Sequence, residues 1–354
     1  MSLYGYAKTG ENRYREIFGL DFELFKEGMT FKHRPGITLS QQDNRDEAMD
    51  AMNSAHLHYD QNYASQTEWS KCLGVSTLTL QVVMGASWKT FGHKFRIIRY
   101  QKIQMQKPVF GGDTLYSEST ILEKKDYPDS QDVGLLTVKT VGKNSKDITV
   151  VTIVYDVLVY KKRKHPACLP VNVSSSFEIA EEPRFMTYRQ LEDNNYIEQT
   201  GLYYEHFNPG ETFEHRPGKT VTAEENLRHS LISLDWNPKY TNFDYIDKYY
   251  AGVHYINENY LIGAATASTT RTFGRVVANL EWKDVELHIP VKAGDTFYAE
   301  SEILSKRESK SRSDQGIICV ATRAFNQNKR LVLSYERTFL IYKAGLGSYE
   351  AAGY

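Results

Sequence analysis

Residues 52–60, MNSAHLHYD, bring Asn53, His56, His58 and Asp60 onto one short stretch. Three chemistries would suit it: metal ligation, proton transfer by histidine, or no chemistry at all in a polar strip on a core element. Histidine titrates near working pH and so moves protons readily. Residues two apart on an extended segment point in opposite directions, so His56 and His58 do not share an ion, and no third ligand spacing completes a metal site. No metal is expected, and His56 is read as incidental. For His58 two readings compete, a proton carrier and a hydrogen-bonded structural histidine.

The chain contains itself twice. GMTFKHRPGITLSQQDN starts at Gly28 and GETFEHRPGKTVTAEEN at Gly210, while KPVFGGDTLYSESTILEKK and IPVKAGDTFYAESEILSKR set Pro108 against Pro290 and Asp113 against Asp295, every pair 182 apart. Gly134 and Gly316, then Tyr160 and Tyr342, keep that offset, so the register runs from Gly28 to Lys161 without a net gap. One domain is written twice. In register, MNSAHLHYD lies over LDWNPKYTN: Asn53 over Asp235, His58 over Tyr240, Asp60 over Asn242. The expected division is a first repeat over 1–165, a crossover over 166–200 in a basic, then Pro- and Ser-rich region, and a second repeat over 201–354.

Within a copy, VSTLTLQVVMGASWKTF (75–91) places Val75, Leu78, Val82 and Ala86 at the spacing of a mostly buried helix, with Ser76 or Thr77 able to cap its start. KFRIIRYQKIQM, DTLYSESTILEKK, GLLTVKTVG and DITVVTIVYDVLVYKK follow, rich in β-branched and aromatic residues, with Gly111-Gly112-Asp113 as a turn. One helix, a strand before it and about four strands after it describe an α+β fold in which an antiparallel sheet wraps a long central helix. Fusing two copies allows their sheets to join edge to edge.

At 41% hydrophobic and 25% charged, the 354-residue chain has the make-up of a folded protein. Its net charge of −1 supplies no global field for nucleic acid or an anionic membrane surface. No apolar run approaches the roughly 20 residues of a membrane helix and the N-terminus lacks a signal-like stretch, so a cytoplasmic location is expected. Cys72, Cys168 and Cys319 form no CxxC and read as buried thiols. Asn172-Val173-Ser174 fits the glycosylation pattern but lacks a secretory context.

DWNP at 235–238, with a polar side chain three places beyond the Asn, resembles the D-x-N-P-x-H-x-D motif of the MaoC-like dehydratases. NSAHLHYD is similar to the N-T-A-x-V-H-F-D form of double hot-dog proteins of the mesaconyl-CoA hydratase (β-methylmalyl-CoA dehydratase) type, and VANLEWKDVELHIPVKAGDTFYAESEILSKRESKSR looks like the same group. The resemblance spans nearly the whole chain. It implies a tandem hot-dog fold and reversible addition of water to a short 2-enoyl-CoA thioester, mesaconyl-CoA or a related branched or dicarboxylic acyl-CoA being nearest. CoA would belong to the substrate, with no separate cofactor and no assigned CoA-binding residues. The implied partners are that acyl-CoA and copies of the chain in a homodimer or higher homo-oligomer, with neither nucleic acid nor membrane.

In the family an Asp and a His five residues apart hold one water. Here the first copy has Asn53 and His58, the second Asp235 and Tyr240, so each keeps half of the pair. The first copy is favoured because His58 is the better proton carrier, with Asp60 as a possible contributor; Asp235, Asn237 and Tyr240 are its second-repeat equivalents. The oxyanion donors implied by the family fall at the backbone of Ser76 and Thr77, where a helix start offers free N–H groups. Ser76 corresponds to Glu258, which would sit badly beside an oxyanion.

Rival readings are a thioesterase recruiting Asp60 or Asp235, and a non-catalytic acyl-CoA binding protein. His33 and His215, inside HRPG in both copies, read as structural residues in a turn after a strand. Lys161, Lys162, Arg163 and Lys164, and KRESKSR at 306–312, read as solvated charge ahead of a CoA-phosphate site.

Overall fold

In the computed structural model, which describes residues 3–162, 164, 178–346, 349, 352 and 353, both copies follow one order of elements. Each opens on a hairpin. β1 (Tyr6–Gly10) and β2 (Arg13–Glu16) precede the first copy, which continues through β3 (Thr30–Thr38), α1 (Gln41–Asp50), α2 (Gln61–Ala64) and α3 (Ser76–Gly85). Four long strands follow: β4 (Lys94–Met105), β5 (Thr114–Asp126), β6 (Val133–Asn144) and β7 (Thr149–Tyr160). After the short β8 (Glu178–Ile179), the second copy runs β9 (Tyr188–Glu192), β10 (Asn195–Glu198), β11 (Thr212–Thr220), α4 (Ala223–Ile232), α5 (Pro238–Thr241), α6 (Phe243–Tyr250) and α7 (Glu258–Ser268). It closes with β12 (Val276–Leu287), β13 (Thr296–Glu308), β14 (Gln315–Asn326) and β15 (Leu331–Tyr342). Arg163, Cys168 and the Asn172-Val173-Ser174 triplet lie outside the described residues.

The strands form where period-2 alternation predicts them. Burial alternates identically along β5 and β13, with Leu115, Ser117, Ser119 and Ile121 turned inward on β5 and Phe297, Ala299, Ser301 and Ile303 on β13. On α3 the deepest side chains are Thr79 and Val83, in line with Val75 and Ser87 one turn to either side, while Leu78, Val82 and Ala86 lie half-buried beside that line. The buried stripe is therefore one residue out of phase with the expected one. Gly142 on β6 lets the helix seat: a Cβ there would stand 2.6 Å from Val83 Cγ2. The recurring Gly134 and Gly316 have a similar cause, since Cβ atoms there would strike the rings of Phe22 and Tyr204, themselves equivalent residues.

Two sheets result, with strand orders β4-β7-β6-β5-β3-β10-β9 and β12-β15-β14-β13-β11-β2-β1-β8. Each wraps its own helix, which is the tandem hot-dog architecture. The hairpins are exchanged, however. β2 runs parallel to β11, pairing Tyr14 with Phe213, and β10 runs parallel to β3, pairing Tyr196 with Phe31. The stretch 188–198, within the expected crossover, thus carries two strands of the first copy's sheet. The internal register also extends back past Gly28, because Tyr6, Tyr14 and Glu16 match Tyr188, Tyr196 and Glu198 at the same offset.

The exchanged hairpins deliver one buried carboxylate to each copy. Glu198 Oε1 lies 2.8 Å from His33 Nδ1, whose Nε2 reaches Ser119 Oγ at 2.9 Å; Glu16 and Ser301 repeat the arrangement around His215. The two histidines lie inside β3 and β11 rather than in a turn after them, each followed by a cis proline. They are structural, as their symmetry suggests. Burial opposes ionisation of both glutamates, but the histidine partners, with Lys89 near Glu198 and Arg271 near Glu16, outweigh it and hold both carboxyls below the usual range. Removing one partner of such a buried pair costs about 3–5 kcal/mol.

The sheets do not join edge to edge as expected. Hairpin exchange ties the copies instead, and among the described residues β4 and β12 each end a sheet with no further strand beside them.

Candidate active site

The site is built outward from Asn44. A capping box between Ser40 and Asp43 starts α1 and turns Asn44 inward, where it is buried. Its Nδ2 donates to the carbonyls of His58 (2.9 Å) and Leu73 (3.0 Å), and its Oδ1 accepts the Val75 N–H at 2.6 Å. One amide thereby clamps the motif loop to the start of α3. Gly74 permits the close pass behind it, donating to Val109 O at 2.7 Å where a Cβ would collide with that same oxygen. Nothing singles Asn44 out in the sequence except its presence in both copies, as Asn44 and Asn226.

His58 is half-buried on a 3-10 turn, His56–His58, not on an extended segment. Its Nδ1 stands 2.8 Å from Leu73 O. A carbonyl only accepts, so Nδ1 carries the hydrogen and, in the neutral ring, Nε2 presents a lone pair. Leu73 O also receives Asn44, so the atom that sets the tautomer is itself fixed. His56, by contrast, is exposed and rests against Tyr59 and Tyr63, with ring centroids 6.0 and 5.8 Å away.

The remaining motif residues serve the local backbone. Asn53 Oδ1 accepts the Ala55 N–H at 3.0 Å, and Asp60 caps α2 by accepting the Tyr63 N–H at 3.0 Å. Ser76 and Thr77 do not cap α3. The N-cap is Val75, which has no side-chain acceptor to give, and Ser76 and Thr77 are the exposed first residues of the helix. Their N–H groups therefore stay open at the positive end of the helix dipole. Glu47 of α1 flanks this turn, accepting from Thr77 Oγ1 (3.3 Å) and Gln81 Nε2 (2.9 Å), a carboxylate that motif counting does not find.

The second copy keeps the clamp and closes the helix. Asn226 accepts the Asn257 N–H at 2.7 Å and donates to Tyr255 O at 3.0 Å. Asn257, at the position of Val75, caps α7 by accepting the Asn259 N–H at 3.0 Å and donates to Asp235 Oδ2 at 2.8 Å. Glu258 follows, hydrogen-bonded by Tyr240 OH and ion-paired with Lys239 Nζ at 3.0 Å. Burial opposes the charge on Glu258, but Tyr240, its own backbone N–H and Lys239 hold its carboxyl below the usual range. Burial and then Glu258 push the Tyr240 hydroxyl up, so it stays protonated and donates. Asn237 only caps α5 through the Lys239 N–H, at 3.0 Å. The donors that stand open at α3 are occupied at α7.

Two residues of the basic run are engaged within the chain: Lys161 meets Asp126 and Lys164 meets Asp132, both at 2.7 Å. In KRESKSR, Lys306 donates to Glu205 O at 3.4 Å and Arg312 to Gln315 at 3.3 Å.

Family models match both copies, residues 24–143 as a MaoC like domain and residues 181–346 as mesaconyl-CoA hydratase. A mesaconyl-CoA hydratase of Cereibacter sphaeroides is 29% identical over 151 residues, 40% of this chain and 42% of that protein. A beta-methylmalyl-CoA dehydratase of Chloroflexus aurantiacus is 23% identical over 143 residues, 40% of this chain and 39% of that protein. The matched segments thus span less than half the length of these curated relatives. Among solved structures, a MaoC domain protein dehydratase of Chloroflexus aurantiacus aligns over 92% of this chain and 98% of its own, at 20% identity and a TM-score of 0.40. A double hot-dog protein of Mycobacterium tuberculosis aligns over 92% and 99%, at 18% identity and a TM-score of 0.38.

Proposed function

Because the chain belongs to the MaoC-like dehydratase family, we propose that its first repeat catalyses reversible addition of water to a short 2-enoyl-CoA thioester. One observation carries the assignment: His58 is held with Nδ1 on Leu73 O, and the same clamp fixes the uncapped start of α3. The relatives named for mesaconyl-CoA and β-methylmalyl-CoA make a branched, dicarboxylic acyl group the first substrate to test.

In the proposed reaction His58 Nε2 takes a proton from water as the water oxygen bonds to C3. The electron pair of the C2–C3 double bond passes to the thioester oxygen, and the Ser76 and Thr77 N–H groups hold the resulting enolate. The imidazolium, stabilised by Leu73 O, then returns its proton to C2. No atom is left over and no redox partner enters, so the reading includes no cofactor beyond the CoA of the substrate. Asn53 transfers no proton, which leaves His58 to serve as base and acid in turn.

A cytoplasmic setting and a homo-oligomer complete the reading. No helix among the described residues is long and apolar enough to cross a membrane, and CoA thioesters are generated inside cells. Thioester hydrolysis through Asp60 or Asp235 fits less well, because these two carboxylates are committed to a helix cap and to Asn257. Incubation with mesaconyl-CoA and crotonyl-CoA separates the readings. Loss of enoyl absorbance without free thiol is expected; thiol release would indicate hydrolysis, and neither signal would remove the hydratase reading for those substrates.

A further inference from the structure

A cavity of about 50 Å³ lies where the exchanged hairpins lead into the two copies. It is lined in equivalent pairs 182 apart, Glu16 with Glu198, Leu20 with Leu202 and Lys89 with Arg271, so both copies build it from the same positions. Lys89 and Arg271 end the 3-10 turns that follow α3 and α7.

The carboxylates at this cavity are already engaged. Besides lying against His33, Glu198 accepts from Thr90 Oγ1 at 2.8 Å and from the Arg34 N–H at 3.1 Å. Glu16 accepts from the Arg216 N–H at 3.1 Å and from Thr272 Oγ1, with Arg271 Nη1 at 3.6 Å. The nitrogen donors are not engaged. Lys89 Nζ reaches Thr200 Oγ1 at 3.0 Å and ion-pairs with no carboxylate among the described residues, which leaves two of its three hydrogens. Arg271 Nε and Gln199 Nε2 are buried with no partner among the described residues. The Gln199 amide is fixed, because its Oε1 accepts from Arg275 Nη2 at 3.2 Å and arginine only donates. No buried side-chain oxygen lining the cavity lacks a partner among the described residues. Donors alone are left over, and a buried donor without an acceptor destabilises the fold.

We propose that this cavity binds one small anion, a carboxylate or an inorganic phosphate, with Lys89 Nζ, Arg271 Nε and Gln199 Nε2 as its donors. Room for about four water-sized groups suits an anion of that size. The lining has two carboxylates against two cations, so the attraction comes from the directed, unused hydrogens. An anion accepts on every side, whereas water in the same space brings hydrogens that find no open side-chain acceptor. The rings of Phe18 and Trp88, 5.7 and 5.0 Å from the Arg271 guanidinium, hold that group in place. Burial, with Arg271 nearby, keeps the Lys89 ammonium below its usual range in spite of Glu198 and Glu16, and an anion beside it offsets that burial. Because Lys89 and Arg271 belong to different copies, the bound anion ties one copy to the other.

The test is calorimetric titration of the full chain with sodium phosphate and with sodium acetate, against chloride at equal ionic strength, repeated on Gln199→Glu and Lys89→Met. Wild type is expected to bind one or both of these anions at a single site per chain. Gln199→Glu keeps the acceptor for Arg275 but sets a negative oxygen where the donor stood, so it should abolish binding and raise the melting temperature of the ligand-free chain. Lys89→Met should weaken binding by about tenfold or more, the loss of one charge-assisted hydrogen bond. Either variant decides alone if the other does not fold. Binding of phosphate only assigns a tetrahedral anion to the site, and binding of acetate only assigns a carboxylate. Neither anion binding more tightly than chloride, with water alone filling the cavity, overturns the proposal. So does binding that persists undiminished in a folded variant, which places the anion elsewhere.

Discussion

The two helix starts, α3 and α7, share a clamp and differ in everything the clamp presents. Asn44 and Asn226 each bind the N-cap N–H and the carbonyl two residues before it. Beyond that, α3 has a cap without a side-chain acceptor and two exposed helical residues, while α7 has an asparagine cap followed by a carboxylate locked to Tyr240 and Lys239. An asparagine cap stabilises a helix by about 1 kcal/mol. The first copy forgoes that stabilisation, which is the pattern of a site kept open for a ligand. Divergence after duplication has left one copy to satisfy its helix internally and the other to leave it unsatisfied.

The largest effect should come from the residue that differs most in chemistry. His58→Ala is expected to lower turnover of the enoyl-CoA substrate by about 10²–10⁴-fold, the usual contribution of a general acid–base group. Tyr240→Phe, its counterpart, should leave most of the rate. Steady-state rates from enoyl absorbance compare them directly, and equal losses would erase the distinction between the copies.

The clamp offers a sharper contrast because it is shared. Asn44→Ala and Asn226→Ala should each cost about 3 kcal/mol, having stranded several buried backbone groups. Only Asn44→Ala should also reduce kcat, by about 10²-fold, through misplacement of His58 relative to the helix start. Denaturant unfolding and kinetics on the same preparations separate the effects.

Importing the second copy's cap into the first tests the open helix start. Val75→Asn should slow turnover by about 10²-fold as the new side chain takes a donor from the oxyanion, while the cap it adds, about 1 kcal/mol, is offset by placing an amide where a buried valine stands. An unchanged kcat in a folded variant would mean those N–H groups are not used.

The effect that bears least on turnover, and the most symmetric one, concerns the hairpin carboxylates. Glu16 and Glu198 have lowered folded pKa values, so their contribution is present above the ordinary glutamate value of about 4.3 and is lost as pH falls through the folded values. Thermal melts should be level near neutrality and decline in that acid range. Glu198→Gln should lower the melting temperature at neutral pH and flatten its acid dependence.

Much of this was legible in the sequence, and the limits have physical causes. The repeat, the five main strands of each copy, the central helix and the two incomplete motifs follow from local pattern and a constant offset. The hairpin exchange does not, since whether β10 pairs with β3 or with β11 is decided between segments far apart in sequence. A trace was nevertheless present in Tyr6, Tyr14 and Glu16 against Tyr188, Tyr196 and Glu198. Ser76 and Thr77 resemble good caps by type, but Asn44 takes the Val75 N–H and places the helix start one residue earlier. The same clamp folds His56–His58 into a turn where alternation suggests an extended segment.

We propose that catalysis belongs to the first copy because its helix start is open. It is tested most directly by exchanging the residues that open and close the two starts, Ser76→Glu in one variant and Glu258→Ser in another, and measuring the initial rate of enoyl absorbance loss with mesaconyl-CoA. Ser76→Glu is expected to abolish the rate and Glu258→Ser to leave it unchanged. Full activity in Ser76→Glu, or loss of activity in Glu258→Ser alone, would contradict it.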